Sequence, residues 1–274
     1  MDSRNSQIIE YARNEGAAAI GFAPVSRFKD APKGHGPTDF LPEAKSVIVL
    51  GMRVSDSIVD STDYHNHFTG KASWAKDTVS RLNWAQLVKS NYYLQMGHYV
   101  QDDLLNYLAT KIAWKLEEQG YQSMPMAVTA TQGRYFEMEW AQAFFPWSQR
   151  HAAVMAGLGE FGYSNIVLTP EYGPRIRFNS IITEAEFEYT PLITQKICLR
   201  EKCRKCLDAC TAGAIQLRDG INNDQVFLTT PSMTDFRLCP FVDEHGTRSH
   251  RCFFYGMCMR VCPVKFDIKK RRAG

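Results

Sequence analysis

The cysteines constrain this chain more than any other feature, because all of them fall in its last third. None of the first 197 of its 274 residues is a cysteine. Such segregation predicts a C-terminal module, residues 195–274, that is separate from an N-terminal domain, residues 1–194. The spacing is C-x4-C-x2-C-x3-C, followed by C-x12-C-x5-C-x3-C-P. The eight positions are Cys198, Cys203, Cys206, Cys210, Cys239, Cys252, Cys258 and Cys262.

Eight cysteines in two sets of four predict two [4Fe–4S] clusters. The bacterial ferredoxin run is C-x2-C-x2-C-x3-C-P, and its fourth cysteine ligates the other cluster, because it begins a helix and points away. Zinc and disulfides are the alternatives, although zinc sites usually combine two separate C-x2–4-C pairs. The predicted ligands of the first cluster are Cys198, Cys203, Cys206 and Cys262, and those of the second are Cys210, Cys239, Cys252 and Cys258.

Composition limits the other classes of function. The net charge is only +3, which argues against a nucleic-acid partner, and the basic run 269–272 is interpreted as a solvated tail. No apolar run approaches the roughly 20 residues that span a bilayer, and no leader peptide is apparent at the N-terminus. We therefore expect a cytoplasmic protein with no membrane partner, in which a reducing environment favours metal ligation over disulfides.

The first 190 residues have the pattern of a mixed α/β domain. The clearest helix is predicted over residues 99–119, with a buried face of Val100, Leu104, Leu105, Leu108, Ile112 and Leu116. A shorter helix is predicted over residues 7–15, and residues 150–156 are also helical in pattern. Strands are predicted over residues 17–25, 46–54, 124–128, 166–168 and 177–182.

Two segments allow more than one interpretation. Residues 129–150 are rich in aromatic side chains, including Trp140, Phe144, Phe145 and Trp147, and form either a helical insertion that lines a pocket or an aromatic core edge. Residues 157–162 match the G-x-G-x-x-G motif of dinucleotide-binding folds, but here a helix precedes the glycines and a strand follows them. That order favours either a cofactor wall or a tight helix-to-strand turn.

The order of motifs resembles the reductive dehalogenase and epoxyqueuosine reductase superfamily. The block AGLGE at 156–160, the block LTPEYGPRIR at 168–177 and the paired cysteine sets carry this resemblance, which covers residues 6 to 266. Both blocks are closer to the dehalogenase form. The resemblance implies an α+β protein: a mixed α/β, nitroreductase-like domain that binds cobalamin in its base-off form, followed by a bacterial-ferredoxin-like two-cluster module.

The resemblance also implies roles for particular residues. Family members place a tyrosine near the substrate as proton donor, with a basic side chain beside it. Tyr99 is the first candidate for the donor and Tyr93 the second, and Arg175 and Arg177 are candidates for the cation or for contacts to the cofactor. His151 has the pattern of a structural helix histidine. The candidate corrinoid contacts are Gly157, Leu158, Gly159, Glu160 and Tyr172.

The predicted function is therefore a corrinoid- and iron–sulfur-dependent reductase that cleaves a small-molecule substrate, with electrons supplied by a ferredoxin or flavodoxin. Three alternatives stay open: an iron–sulfur electron carrier, a corrinoid carrier or reactivator, and an epoxyqueuosine reductase-like enzyme of tRNA modification. The chain departs from both named activities. It lacks the acidic Asp-Ser/Thr-Ala/Gly-Pro segment of epoxyqueuosine reductases ahead of the glycine motif, and it lacks the twin-arginine leader of respiratory dehalogenases.

Overall fold

A four-stranded antiparallel sheet forms the centre of the protein. The computed structural model describes residues 3–60, 93, 95–128, 146–210, 213–235 and 256–264. The strands lie in the order β1-β2-β6-β3, and neighbouring strands run antiparallel. Their bounds are Ala19–Pro24 for β1, Ser46–Arg53 for β2, Ser123–Met126 for β3 and Ile176–Thr183 for β6.

The alternating side chains of β2 divide the core into two layers. Ile48 and Leu50 face a cluster that includes side chains of helix α1 and helix α4, whereas Val47 and Val49 face a cluster that includes helix α5. Since both faces of the sheet are covered, β2 carries β-branched and aliphatic residues on both sides, as a fully buried strand must. The helices are α1 Ser3–Asn14, α4 Val100–Glu117 and α5 Gln149–Met155.

The predicted mixed α/β architecture is confirmed, but the predicted face of α4 is partly wrong. The helix buries Leu105, Leu108, Ile112 and Leu116 as expected, together with Asp102 and the two alanines Ala109 and Ala113. Val100 and Leu104 are 37% and 47% exposed. At about 100° per residue, Leu104 lies on the flank of the buried stripe, which is centred between Leu105 and Leu116. Val100 lies on the far side of the helix. A single π-helical turn, Gln95–Tyr99, leads into α4.

The remaining elements are short. Around the sheet lie a 3-10 turn Val25–Phe28, helix α2 Pro37–Phe40, helix α3 Asp56–Asp60 and the strand pair β4 Glu160–Phe161 and β5 Val167–Leu168. The cysteine-bearing part contains a 3-10 turn Arg200–Lys202, helix α6 Lys205–Asp208, the strand pair β7 Ile215–Leu217 and β8 Ser232–Thr234, and helix α7 Met257–Arg260. None of the helices described is long and apolar enough to cross a membrane.

The boundary after residue 194 stays a prediction, and the two parts are closely packed. Phe227 lies in the same buried cluster as Phe161 and Tyr163. The backbone N–H of Phe161 donates to the carbonyl of Phe227 at 2.9 Å, and the Asn165 amide donates to the carbonyl of Ser232 at 2.8 Å. The cysteine-bearing part is thus attached to the β4–β5 pair through backbone and buried polar contacts.

Candidate functional site

The four cysteines predicted for the first cluster act on one another electrostatically. Burial raises the pKa of the Cys206 thiol to about 12, and the charges of Cys198, Cys262 and Cys203 raise it further. Burial likewise raises the pKa of Cys262 to about 11, with Cys198 and Cys203 contributing. Because Cys262 follows Cys206 by more than 50 residues, this proximity is produced by the fold and not by the sequence.

This arrangement fits a multi-iron cluster. Each of the six described cysteines is a half-buried free thiol, and Cys239 and Cys252 lie outside the described residues. Within the described part of the chain, no three His, Cys, Asp or Glu side chains are grouped to hold one metal ion. The identity and number of the metal centres therefore stay a prediction from the cysteine spacing.

The second predicted set is only partly described. Cys210 accepts a hydrogen bond at its Sγ from the backbone N–H of Ala214, at 3.3 Å. Cys258 lies in α7, and its charge acts on Tyr93. The same helix therefore presents Cys258 towards the N-terminal domain and leads into Cys262 of the first set.

Arg175 is a buried guanidinium that is held by two carboxylates, of which Asp60 is 48% exposed. Its side chain is not exposed at all, and it binds Asp56 Oδ1 at 2.6 Å and Asp60 Oδ1 at 2.7 Å, both from α3. Its Nε has no hydrogen-bond partner among the described residues. The charge of Arg175 also lowers the pKa of Cys262, against the larger effect of burial.

Arg177 belongs to a second group of interacting charged side chains, with Asp102 and His98. Its Nε donates to Asp102 Oδ1 at 2.6 Å, and His98 Nδ1 lies 3.2 Å from Asp102 Oδ2. Burial tends to raise the pKa of the Asp102 carboxyl, but the hydrogen bond with His98 and the charge of Arg177 outweigh it and hold that pKa below its usual range. Asp102 is therefore an ionised carboxylate that orients both His98 and Arg177.

The two candidate tyrosines occupy different environments. Tyr93 is 2% exposed, and its hydroxyl donates to Met259 Sδ at 3.7 Å. Burial raises its pKa, and the charges of Arg177 and Arg175 counteract that rise. Tyr99 is half-buried in the π-helical turn, and its ring meets the His98 ring edge-on at 6.0 Å. The charges of both candidate arginines thus act on Tyr93.

The glycines of the 157–162 segment pack against the protein's own backbone. Gly157 has φ +71°, and a Cβ there would lie 2.1 Å from the carbonyl oxygen of Pro191. A Cβ on Gly159 would lie 2.2 Å from the carbonyl oxygen of Leu168. Helix α5 precedes these glycines, and the strand predicted over residues 166–168 is β5, as the sequence predicts; the short strand β4 was not predicted. A tight helix-to-strand turn accounts for both glycines.

The other candidate corrinoid contacts also have protein partners. Leu158 and Tyr172 are half-buried at the edge of the second core cluster. The backbone N–H of Tyr172 donates to Thr169 Oγ1 at 3.1 Å. Glu160 is completely buried and binds the loop that carries Cys198. A contact between these residues and a corrinoid stays a prediction.

Two further predictions concern α5 and the aromatic segment that precedes it. Trp147 belongs to the core: its Nε1 donates to Ser180 Oγ at 2.8 Å, and its ring lies 5.5 Å from that of Phe28. Trp140, Phe144 and Phe145 lie outside the described residues. His151 is a half-buried helix histidine beside Ser148 Oγ, at 2.7 Å.

Sequence reasoning missed the charged partners of the site residues, which are Asp102, Asp56 and Arg200. Asp102 follows His98 by four residues, the spacing of neighbours on one helix face, so this pair was available from the sequence. Asp56 is separated from Arg175 by 119 residues, and Glu160 from Arg200 by 40. Only the sheet order and the path of the cysteine loop bring those charges together.

Comparison of sequences finds relatives of both kinds named in the resemblance. No protein-family model matches this chain. An epoxyqueuosine reductase of Bacillus subtilis (strain 168) is 24% identical over 283 residues, which cover 94% of this chain and 62% of that protein. A tetrachloroethene reductive dehalogenase of Dehalobacter restrictus is 44% identical over 103 residues, which cover 36% of this chain and 17% of that protein. The chain therefore spans less than two thirds of the length of these relatives.

Solved structures show the same fold in both kinds of enzyme. An epoxyqueuosine reductase, crystallised with an epoxyqueuosine-modified tRNA stem loop, matches with a TM-score of 0.55 and 21% identity, covering 96% of this chain and 67% of that one. A reductive dehalogenase whose structure suggests a mechanism for B12-dependent dehalogenation matches with a TM-score of 0.58 and 19% identity, covering 98% and 33%.

The superfamily resemblance inferred from the motifs is supported by sequence relatives of both kinds, and the solved structures share the fold. The closer similarity to dehalogenases is not supported. The match to epoxyqueuosine reductase extends over nearly the whole chain, whereas the match to the dehalogenase sequence is confined to about a third of it. A tRNA-bound relative also removes the support for excluding a nucleic-acid partner.

Proposed function

We propose that this protein is a corrinoid- and iron–sulfur-dependent reductase with two [4Fe–4S] clusters. One observation carries the proposal: the fold places Cys262 where its charge acts on Cys206, although the two residues are more than 50 positions apart in the sequence, and where the charge of the buried Arg175 acts on Cys262. A cluster held there would lie near the buried Arg175 and its ion pairs in the sheet domain. Electrons delivered by a ferredoxin or flavodoxin would then enter the catalytic domain within one polypeptide.

The cofactor proposal is supported by the fold shared with a reductive dehalogenase of B12-dependent dehalogenation. When bound, cobalamin supplies a low-potential metal centre that cleaves carbon–halogen or carbon–oxygen bonds, and the protein supplies position, protons and exclusion of water. Of the five candidate contacts, Leu158 and Tyr172 are half-buried side chains and are the first to test. Gly157 and Gly159 would act through their backbone. The base-off state is part of this proposal.

The charged group of His98, Asp102 and Arg177 adjoins the proposed proton donor. Tyr99 lies in the turn that begins α4, next to His98, and we propose it as the donor to the substrate. The Nε of Arg177 donates to Asp102 Oδ1 at 2.6 Å, so this guanidinium has a fixed orientation. Arg175 would stabilise negative charge on the cluster side.

The first substrate class to test is an epoxyqueuosine-type nucleoside in tRNA. Its support is the breadth of the similarity, which covers 94% of the chain. A halogenated small molecule is the second class, supported by the 44% identity over 103 residues. Both reactions consume two electrons: the epoxide oxygen leaves as water with two protons, and a halogen leaves as halide when one proton replaces it.

Anaerobic single-turnover assays distinguish these classes. Dithionite-reduced, cobalamin-loaded protein would be mixed with the epoxyqueuosine-modified tRNA stem loop or with 3-bromo-4-hydroxybenzoic acid, and product measured by mass spectrometry. We expect turnover of one class only, reduced about 100-fold or more in Tyr99→Phe. The matched control is Tyr107→Phe, since Tyr107 is 60% exposed on the outer face of α4.

Two results contradict the proposal in different ways. Full activity in Tyr99→Phe would remove that residue from the mechanism and make Tyr93 the next candidate. A protein that exchanges electrons with a partner but turns over neither substrate would favour the electron-carrier alternative, or a corrinoid carrier if cobalt is also retained.

A further inference from the structure

A buried carboxylate organises the loop that carries the first predicted cluster ligand. Glu160 is 0% exposed. Its Oε1 accepts from the backbone N–H of Cys198 at 2.6 Å and from that of Ile197, and its Oε2 accepts from the backbone N–H of Phe227 at 3.0 Å. A carboxylate that receives several backbone N–H groups is stable as the anion even when buried.

Arg200 neutralises this carboxylate from within the same loop. It is 4% exposed, and its Nη2 lies 2.8 Å from Glu160 Oε2. The same guanidinium donates to the carbonyls of Cys198 and Gln225, and it stacks over the Phe227 ring at 4.4 Å. Its Nε is buried without a hydrogen-bond partner in the described part of the chain. The pair thus binds both the N–H and the C=O of Cys198.

The loop adopts a conformation that the sequence alone would not favour. Arg200 and Arg204 have φ values of +53° and +49°, in the left-handed region. Residues other than glycine enter this region at a cost, and they persist there only where the surroundings hold them. These two arginines flank Cys203, so the turn directions on both sides of a predicted ligand depend on how Arg200 is held.

We propose that the Glu160–Arg200 pair is a positioning device for the first cluster, which fixes the backbone of Cys198 and directs the N–H groups of Ile197 and Cys198 away from the cluster. The proposal rests on the first cluster of the proposed function. It gives Glu160, in the AGLGE block, a role through the cysteine loop. Neither residue is a ligand, and neither contacts substrate.

Two physical consequences follow from this device. Hydrogen bonds from N–H groups to cluster sulfur atoms, and nearby positive charge, both raise the reduction potential of an iron–sulfur cluster. Glu160 engages two such N–H groups and balances the charge of Arg200, so it keeps the potential low. Holding the loop in place also slows loss of the cluster, because the cysteine ligands stay in the geometry that binds iron.

The test is Glu160→Gln, which preserves size while removing the negative charge. Glu186→Gln is the matched control, because the Glu186 side chain is 69% exposed and pairs with Lys45 at 3.6 Å on the surface. Iron and sulfide content, release of iron to a chelator and an EPR-monitored redox titration would be measured on anaerobically purified protein. We expect Glu160→Gln to release iron about 10-fold faster and to raise the potential of one cluster.

Equal potential and equal release rates in Glu160→Gln and Glu186→Gln would overturn the positioning role. Wild-type protein without iron would instead overturn the proposed function, on which this role depends. If the Glu160→Gln protein cannot be produced in folded form, the same measurements on Arg200→Lys test the proposal. That variant keeps the positive charge but loses the forked contact, so we expect faster iron release with little change in potential. Wild-type release rates in Arg200→Lys would reject the proposal.

Discussion

The sheet core and the cysteine-bearing part differ in what holds them together. Val47, Ile48, Ile112 and Ile181 are 0% exposed, and β2 and β6 are eight residues long. The helices and strands described after residue 195 contain only three or four residues each. Their buried attachments are largely polar, as in Glu160–Arg200 and Asn165–Ser232. Apolar burial stabilises the first region, whereas polar anchors and proposed metal ligation stabilise the second.

This difference predicts that the two regions draw their folding free energy from different sources. A region with little regular structure and few buried apolar side chains gains much of its folding free energy from bound metal. The sheet has two apolar layers of its own. We therefore expect metal loss and core damage to affect different parts of the molecule, and the following substitutions test that separation.

The largest effect is expected from Cys206→Ser. Loss of one thiolate should remove the first cluster, about four of eight irons, because cubane clusters need four ligands. Limited proteolysis should then cut after residue 195 while the sheet domain stays intact by circular dichroism. Leu199→Ser is the control, as Leu199 is 48% exposed in the same loop. Unchanged iron content in Cys206→Ser would contradict the ligand assignment.

Ile112→Ala should damage the opposite region. Ile112 is completely buried between α4 and the sheet, and truncation of such a residue lowers the free energy of unfolding by about 2–5 kcal/mol. Leu104→Ala, at a position 47% exposed, should change it by less than about 0.5 kcal/mol. Urea titration measures both. Iron lost in proportion to stability would show that the regions are not separate.

The stability of the sheet region should also depend on pH through His151. Burial, aided by the charge of Arg150, lowers the pKa of His151 to about 4 from its usual 6.5. Because the unfolded chain takes up the proton first, stability is intact above pH 6.5 and falls as the pH drops towards 4.

Between pH 7 and pH 5 this protonation should cost about 2 kcal/mol. His151→Gln should lose correspondingly less over that interval, as judged by urea unfolding at each pH. The same pH dependence in both proteins would assign the loss to other groups.

The smallest effect is expected where the two regions meet. Tyr93→Phe removes the hydroxyl that donates to Met259 Sδ at 3.7 Å, across the contact between the N-terminal domain and α7. A single hydrogen bond contributes about 1 kcal/mol, so thermal unfolding should shift slightly while both clusters are retained. Met124→Leu, at a 41% exposed position, serves as the control. Loss of iron in Tyr93→Phe would mean that this contact holds the cluster module in place.

Much of the fold follows from local patterns in the sequence. The β-branched run of β2 and the 3.6-residue period of α4 predict those elements to within two residues, because burial on both faces or on one stripe leaves a periodic trace. Val100 and Leu104 were misplaced because apolar character alone does not mark the centre of the buried stripe. The two alanines, Ala109 and Ala113, lie nearer that centre.

The site is less predictable because it depends on long-range pairing. Cysteine spacing predicts ligands, since each set is local. The strand order β1-β2-β6-β3, which brings Arg175 and Arg177 beside α3 and α4, has no local trace. Glu160 was found through its motif, but its partners lie 37 to 67 residues away. Its contacts with the cysteine loop therefore required the folded structure.

Iron, sulfide and cobalt analysis of the anaerobically purified protein, after incubation with cobalamin and gel filtration, tests the central claim most directly. The account predicts about eight irons, about eight sulfides and one retained cobalt per chain, since each of the two cubanes carries four irons and four sulfides. Eight irons without cobalt would reject the corrinoid reductase and leave an electron carrier. Zinc in place of iron would contradict the assignment of the cysteine sets themselves.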